Sequence, residues 1–282
     1  MFTLNCKGRL LVIDHPIVMG ILNATQDSFF AESRVHDTDS AVKKAAMMIN
    51  DGATILDIGG QSTRPGSTLI SAEEELHRVL PLIIDIHSAF PDKIISVDTF
   101  YASVAAEAVS AGASIINDIS AGSMDDKMIS TVAKLGVPYI LMHMPGTPQT
   151  MRHHLPYSNV ALEVLDFMSA KLAMLHESGI KDVIVDPGFG FGKNVSNNFQ
   201  LMNNLEIFRI LDKPILLGIS RKSFIYKSLN LTPQESLNGT SIMNSIGVMK
   251  GANILRVHDV KEAVEVVRLV TGTIGITKKG II

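Results

Sequence analysis

The chain has 282 residues, 46% of them hydrophobic and 19% charged, with a formal net charge of −3. That is enough apolar material for one large α/β domain or two small ones. A mildly acidic balance excludes a nucleic acid or an anionic membrane as the main partner, so any anion must be held locally. The lone cysteine, Cys6, excludes an internal disulfide. The start lacks the charged-then-apolar run of a secretory leader, and no apolar run reaches the ~18 residues needed to span a bilayer, so a cytoplasmic enzyme is expected.

Two short apolar runs, 2–6 and 9–13, flank Lys7-Gly8 and predict an N-terminal β-hairpin. Residues 17–22 form a first buried strand, which runs into the polar loop beginning Asn23-Ala24-Thr25-Gln26-Asp27-Ser28. Val42, Ala45, Ala46 and Ile49 then recur at helical spacing, predicting a helix that starts from a Ser40 cap. That helix ends in Asp51-Gly52-Ala53, followed at once by the strand Ile55-Leu56-Asp57-Ile58.

The same junction of helix, C′ glycine and apolar run recurs at Gly112, Gly136, Gly179 and Gly251, which marks a repeated β–α unit. Apolar runs give eight strands, at 17–22, 54–58, 94–97, 114–116, 138–142, 183–185, 214–217 and 253–257. Eight strands alternating with helices over ~250 residues predict a closed (β/α)8 TIM barrel, with an open doubly wound sheet as the alternative that periodicity leaves standing. No composition shift marks a linker, so residues 1–282 read as a single domain.

In such a barrel the active face lies at the carboxyl ends of the strands. Asn23, Asp57, Asp98, Asn117, His143, Asp186, the stretch Ser220 to Ser223, Arg256 and His258 fall there. Asp98, Asn117 and Asp186 bring two carboxylates and an amide, a set suited to the edge of a nitrogen heterocycle. A carboxylate metal cluster, or caps for the following helices, are the competing readings. A second group is cationic: Arg64 in Ser62-Thr63-Arg64-Pro65-Gly66, Lys222, and Arg256 with His258, which share one strand face. With Asn23 and Thr63 they suit a phosphate or pyrophosphate. Adjacent His153 and His154 are poorly spaced to chelate one ion and read as a solvated loop.

These motifs carry a family resemblance. Met-Gly-Ile-Leu-Asn at 19–23, Asp-Ile-Gly-Gly at 57–60 and Ser-Thr-Arg-Pro-Gly at 62–66 are joined by Ser-Val-Asp-Thr at 96–99 and Ile-Asn-Asp-Ile-Ser at 116–120. Asp-Pro-Gly at 186–188 with Gly-Phe-Gly-Lys at 190–193, Ser-Arg-Lys-Ser at 220–223 and Arg-Val-His-Asp-Val at 256–260 complete the set. In this order they resemble the dihydropteroate synthase family. The resemblance implies a (β/α)8 barrel that joins 6-hydroxymethyl-7,8-dihydropterin pyrophosphate to 4-aminobenzoate with Mg²⁺, releasing pyrophosphate. It implies that Asp98, Asn117, Asp186 and Lys222 hold the pterin. Asn23, Thr63, Arg256 and His258 would serve the pyrophosphate, with Asn23 as metal ligand. Arg64, Pro65, Phe189 and Ser223 would lie around the aminobenzoate, and Asn23, Lys222, Arg256 and His258 would carry the catalysis. The family is a target of sulfonamides, and a homodimer is common in it.

The sequence departs from the family pattern in three places. Ala24 and Gln26 replace the usual Val and Pro, and Gln61 stands where Glu is usual. Ala31-Glu32-Ser33-Arg34 replaces an aspartate and paired glycines in a loop that closes over the site in the family, with Glu32 the carboxylate that could substitute. Two other readings stand beside the synthase: a pterin-dependent methyltransferase, which has no use for a pyrophosphate clamp, and a catalytically silent pterin-binding paralogue.

Overall fold

Residues 1–24, 34–61, 68–151, 157–273 and 275 are described by the computed structural model, with the backbone alone for 34–39. The predicted hairpin is present, with β1 (Phe2–Cys6) pairing antiparallel to β2 (Arg9–Ile13). The other strands are β3 (Ile17–Asn23), β4 (Ile55–Gly59), β5 (Ile94–Asp98), β6 (Ile115–Asp118), β7 (Tyr139–Met142), β8 (Val183–Asp186), β9 (Leu216–Leu217) and β10 (Ile254–Val257). They pair in parallel in the order β8-β7-β6-β5-β4-β3-β10-β9. A parallel bridge between Val185 and Ile215, beside the bond from Val185 N to Pro214 O at 2.9 Å, joins the two outer strands. The sheet is therefore a closed barrel, and the open doubly wound alternative falls.

Helices α1 (Arg34–Asn50), α2 (Ala72–Ala89), α3 (Ala102–Ala111), α4 (Met128–Leu135), α5 (Val160–Glu177), α6 (Val195–Asn203), α7 (Ser223–Ser228), α8 (Leu237–Met249) and α9 (Val260–Thr273) connect the strands. Sequence caps explain several starts. Ser71 accepts from the Glu74 N–H ahead of α2, where Glu73, Glu74 and Glu75 also favour the positive helix end. Asn194 and Asn197 cap each other reciprocally at α6. The junction glycines Gly52, Gly112, Gly136, Gly179 and Gly251 all have positive φ, as the repeated unit requires. Ser40 is not a cap: α1 begins at Arg34, leaving Ser40 exposed on the helix. Residues 34–39 contain neither Gly nor Pro, so nothing in them breaks the helix.

Strand pleat sorts the core. Residues on one parity, including Leu56, Ile58, Ile95, Val97 and Ile116, face outward onto α2 and α3 through Val79, Ile83, Ala105 and Ala108. The other parity fills the barrel: Ile17, Met19, Ile55, Ile94, Ile115, Ile140, Ile184, Leu216 and Ile254 meet Leu4, Cys6, Leu11 and Ile13 of the hairpin. Each such side chain contributes about 1.5–3 kcal/mol by leaving water. The hairpin thus plugs the amino end of the barrel and leaves the carboxyl end for the site. Burial pushes the Cys6 thiol up to about 12, so it is an inert packing group there. Among the described residues no helix is long and apolar enough to cross a membrane.

Candidate active site

Two residues beyond the isoleucine layer, the inward positions change character. Ile55 gives way to Asp57, Ile94 to Ser96, Ile115 to Asn117, Ile184 to Asp186, Leu216 to Gly218 and Ile254 to Arg256. Asp57 pairs with Ser96, Asp98, two residues further along β5, pairs with Asn117, and Asp186 pairs with the last residue of β7, Met142. Asp98, Asn117 and Asp186 therefore converge at the carboxyl end of the barrel, on a polar floor laid over an apolar plug. Gly59 packs closely beside it, since a Cβ there would stand 3.2 Å from the Cβ of Asp98.

Arg256 organises the floor. Its Nε donates to Asp57 Oδ2 and its Nη2 to Asp98 Oδ2, each at 2.6 Å. Asn117 Nδ2 donates to the same Asp57 oxygen at 3.2 Å. Asp57 is fully buried, and so strong a pairing is what a carboxylate in that position requires. Burial works against the Arg256 charge, but Asp57, Asp98 and Asp186 outweigh it and raise its pKa above the usual value. Burial pushes Asp98 up to about 7; Arg256 opposes this, while Asp57, Asp118 and Asp186 add to it. Asp186 is also raised by burial, against Lys222 and the Gly188 N–H that donates to its Oδ1 at 2.8 Å.

Lys222 and His258 stand at the other side. Lys222 precedes α7; its ammonium donates to the Phe189 carbonyl and lies 4.4 Å from the centroid of the Phe191 ring. Burial lowers it to about 8, with Asp186 opposing. His258 lies 3.0 Å from Ser220 through Nδ1, and its backbone N–H donates to Ser220 Oγ at 3.2 Å. Ser220 thus fixes the orientation of the imidazole through both contacts. Crowding by protein atoms and the Arg256 guanidinium pull His258 down to about 4, although the residue is more than a third open to solvent, which limits the depression. The expected cationic group is thus altered. His258 is drawn away from the charged form, and Arg256 is shared with the carboxylates rather than held apart with Lys222.

The remaining sequence candidates divide. Asn23 ends β3, half-buried and level with Gly59. Ser223 is exposed as the first residue of α7. Phe189 does not present its ring: the side chain is fully buried, 6.2 Å from Phe224, and its carbonyl is what meets Lys222. The aromatic face beside Lys222 belongs to Phe191, two residues on. Thr63, Arg64, Pro65, Glu32 and the His153-His154 pair lie outside the described residues.

Sequence reasoning left Asp57 without a role, though its strand-end position was legible and Ile55 two residues earlier gives its inward parity. His143 was legible as a strand-end residue and Lys193 as the last residue of Gly-Phe-Gly-Lys, but neither was given a role and nothing local joins them. They meet, as Lys193 Nζ lies 2.9 Å from His143 Nδ1, only because β7 and β8 are neighbours.

The sequence profile of the pterin binding enzyme family matches residues 19–258. The Escherichia coli K12 dihydropteroate synthase is 45% identical over 270 residues, covering 95% of each chain. The chain belongs to the pterin-binding enzymes, among the dihydropteroate synthases. The Bacillus subtilis member is 44% identical over 255 residues, covering 90% of this chain and 87% of that one. Among solved dihydropteroate synthases, one from Yersinia pestis in a sulfonamide drug complex superposes with a TM-score of 0.91 at 40% identity, covering 97% of this chain and 100% of the other. One from Xanthomonas albilineans in complex with 7,8-dihydropteroate gives 0.86 at 35% identity, covering 98% and 100%. A further structure of the Xanthomonas albilineans enzyme, with 4-aminobenzoic acid, gives 0.89 at 37% identity, covering 98% and 99%. The pterin-binding match starts at Met19, so it excludes the hairpin that plugs the barrel.

Proposed function

We propose that this chain condenses 6-hydroxymethyl-7,8-dihydropterin pyrophosphate with 4-aminobenzoate, giving 7,8-dihydropteroate and pyrophosphate, as one barrel domain with one site. The observation that carries this is the convergence of Asp98, Asn117 and Asp186, with Lys222 beside them, on a polar floor at the carboxyl end of the barrel. Relatives solved with 7,8-dihydropteroate and with 4-aminobenzoic acid support the choice of substrates.

The floor suits a pterin edge, which presents ring N–H and amino donors beside ring acceptors. Asp186 and Asp98 accept, while the Asn117 amide accepts through the oxygen it does not use toward Asp57. Gly218 leaves room there, since a Cβ would come within 3.6 Å of Asp186 Oδ2. In the reaction the bond from the pterin methylene to pyrophosphate oxygen breaks, and its electron pair leaves with pyrophosphate. The arylamine nitrogen bonds to that methylene and gives its proton to water. Positive charge gathering on the pterin is offset by Asp98 and Asp186, already placed. Lys222, Thr63 and His258 serve the departing anion, with Arg256 turning part of its donor fork that way. Arg64, Pro65, Ser223 and an aromatic ring take the aminobenzoate side, and the Phe191 ring replaces that of Phe189 in this role.

Asn23 offers a single amide oxygen, and among the described residues no group of three His, Cys, Asp or Glu could hold a metal. That donor set fits Mg²⁺ arriving on the pyrophosphate, with Asn23 as its protein ligand, better than a resident ion. When bound it would neutralise charge on the leaving group. A cytoplasmic location and a homodimer complete the reading.

The test is purified protein with the pterin pyrophosphate, 4-aminobenzoate and Mg²⁺, followed for both products. Stoichiometric pteroate and pyrophosphate support the synthase. Pterin binding with neither product would favour the silent paralogue. Methyl transfer to a pterin-dependent acceptor would favour the methyltransferase.

A further inference from the structure

We propose that Lys193 is a positioning residue for this site: its buried ammonium ties the loop after β8 to the end of β7 and thereby sets the Phe191 ring beside Lys222. The side chain donates to the Gly188 carbonyl at 2.8 Å, to His143 Nδ1 at 2.9 Å and to the Phe191 carbonyl at 3.1 Å, with the His143 carbonyl at 3.4 Å. An ammonium has three protons, and the three shorter contacts take one each. Lys193 is buried, so these bonds replace the water it has given up.

Phe189 anchors the start of this loop in the core, and Lys193 holds the glycine-rich remainder. A Cβ at Gly188 would lie 1.9 Å from the His143 carbonyl oxygen, and one at Gly192 would lie 2.3 Å from Pro145 Cγ. At both glycines the loop therefore lies directly on the segment that follows β7, and between them Phe191 packs against the cluster that includes Met142, Met144 and Met151. Asn198 secures the opposite side, accepting from the Gly190 N–H at 2.7 Å and donating to the Lys193 carbonyl at 3.1 Å. His143 completes the device as an acceptor. Burial and the Lys193 charge hold it down to about 2, so Nδ1 keeps its lone pair, and its ring is fixed edge-on to Phe167 at 4.9 Å. Burial also lowers Lys193 to about 7, with Asp186 opposing.

Asp98 and Asn117 stand on paired strands and do not touch this latch; Asp186, on β8, meets it through the Gly188 N–H at 2.8 Å and the Lys193 charge, while its own place is set by pairing with β7. Phe191 depends on the latch, because its carbonyl is one of the three acceptors. On the synthase reading, the consequence of losing the latch falls on the aminobenzoate side rather than the pterin side.

The experiment compares wild type with Lys193→Met, Lys193→Arg and Asn198→Ala in the full chain. Lys193→Met should raise KM for 4-aminobenzoate at least 10-fold while changing affinity for 6-hydroxymethylpterin less than 3-fold. Lys193→Arg, which keeps a charged donor, should recover part of the loss. Hydrogen exchange gives a readout independent of turnover: amides 188–192 should exchange at least 10-fold faster in Lys193→Met, with the amides of β7 and β8 unchanged. Asn198→Ala should loosen Gly190 and leave Gly188 protected. If Lys193→Met lowers only the amount of folded protein, with both constants and the exchange of 188–192 unchanged, the proposal is wrong. Wild type that forms no pteroate would overturn the reaction assignment alone, since the exchange comparison still decides the latch.

Discussion

Arg256 donates to Asp98 at 2.6 Å although 158 residues separate them in the chain. The guanidinium also holds the fully buried Asp57, so one cation serves two carboxylates, and its removal leaves both without their main partner. Arg256→Met should therefore destabilise the folded chain by about 3–5 kcal/mol. The double variant Arg256→Met with Asp98→Asn should lose less than the two single losses added together. Urea unfolding of the four proteins forms the cycle; strict additivity would show that the pair is not coupled.

The raised pKa of Asp98 predicts a pH dependence of binding. Near pH 7 part of the free protein carries Asp98 protonated, and a protonated carboxyl accepts ring N–H donors poorly. Affinity for 6-hydroxymethylpterin should fall as pH drops from 7.5 to 5.5, with an inflection near 7 that Asp98→Asn abolishes. Calorimetric titration at matched ionic strength would check it, and an inflection surviving in the variant would assign the effect to another group.

Gln61 uses both ends of its amide: Oε1 accepts from the Ile70 N–H at 3.0 Å, and Nε2 donates to the Thr68 carbonyl at 3.2 Å. A carboxylate there can accept but cannot donate. Gln61→Glu should cost about 1–3 kcal/mol at pH 8. A protonated glutamic acid can donate again, so the glutamate's folded pKa should lie above its unfolded value of about 4.3. The deficit should then be small below that value and grow as pH rises through the folded one. Equal losses at pH 5 and pH 8 would contradict this account.

His143 works in the opposite sense. Its folded pKa, about 2, lies far below the unfolded value, so its contribution is complete above about 6.5 and is lost as pH falls toward 2. His143→Gln removes the titration and keeps an acceptor for Lys193. Between pH 6.5 and 4.5 its stability should decline less steeply than wild type, by up to ~1.4 kcal/mol per pH unit. Parallel curves would place the acid sensitivity elsewhere.

Much of the architecture was legible in the chain. Apolar runs closed by helices and C′ glycines predicted eight strands, and each observed strand begins or ends within two residues of its predicted place. The hairpin was legible from two runs around Lys7-Gly8, and the carboxyl-end carboxylates from the change of character after each run. These are local patterns, set by side-chain period and backbone preference over a few residues. The start of α1 was misplaced because a serine near a helical pattern reads as a cap when nothing local says that the helix already runs.

What only the tertiary structure decided is which charges meet and which rings face the site. Arg256 reads from the chain as a cation for an anion clamp, yet closure of the barrel brings it against Asp57 and Asp98, and a guanidinium beside two desolvated carboxylates binds them first. His258 reads as part of the same cationic group, yet the surrounding atoms and that guanidinium pull its pKa below the usual value. Phe189 and Phe191 are alike in sequence context, and the turn at Gly190 sends one ring into the core and the other beside Lys222. Lys193 finds its acceptors across two neighbouring strands. Pairing and burial of this kind follow from distances through space in a medium of low dielectric, and those distances exist only once eight strands have closed on one another.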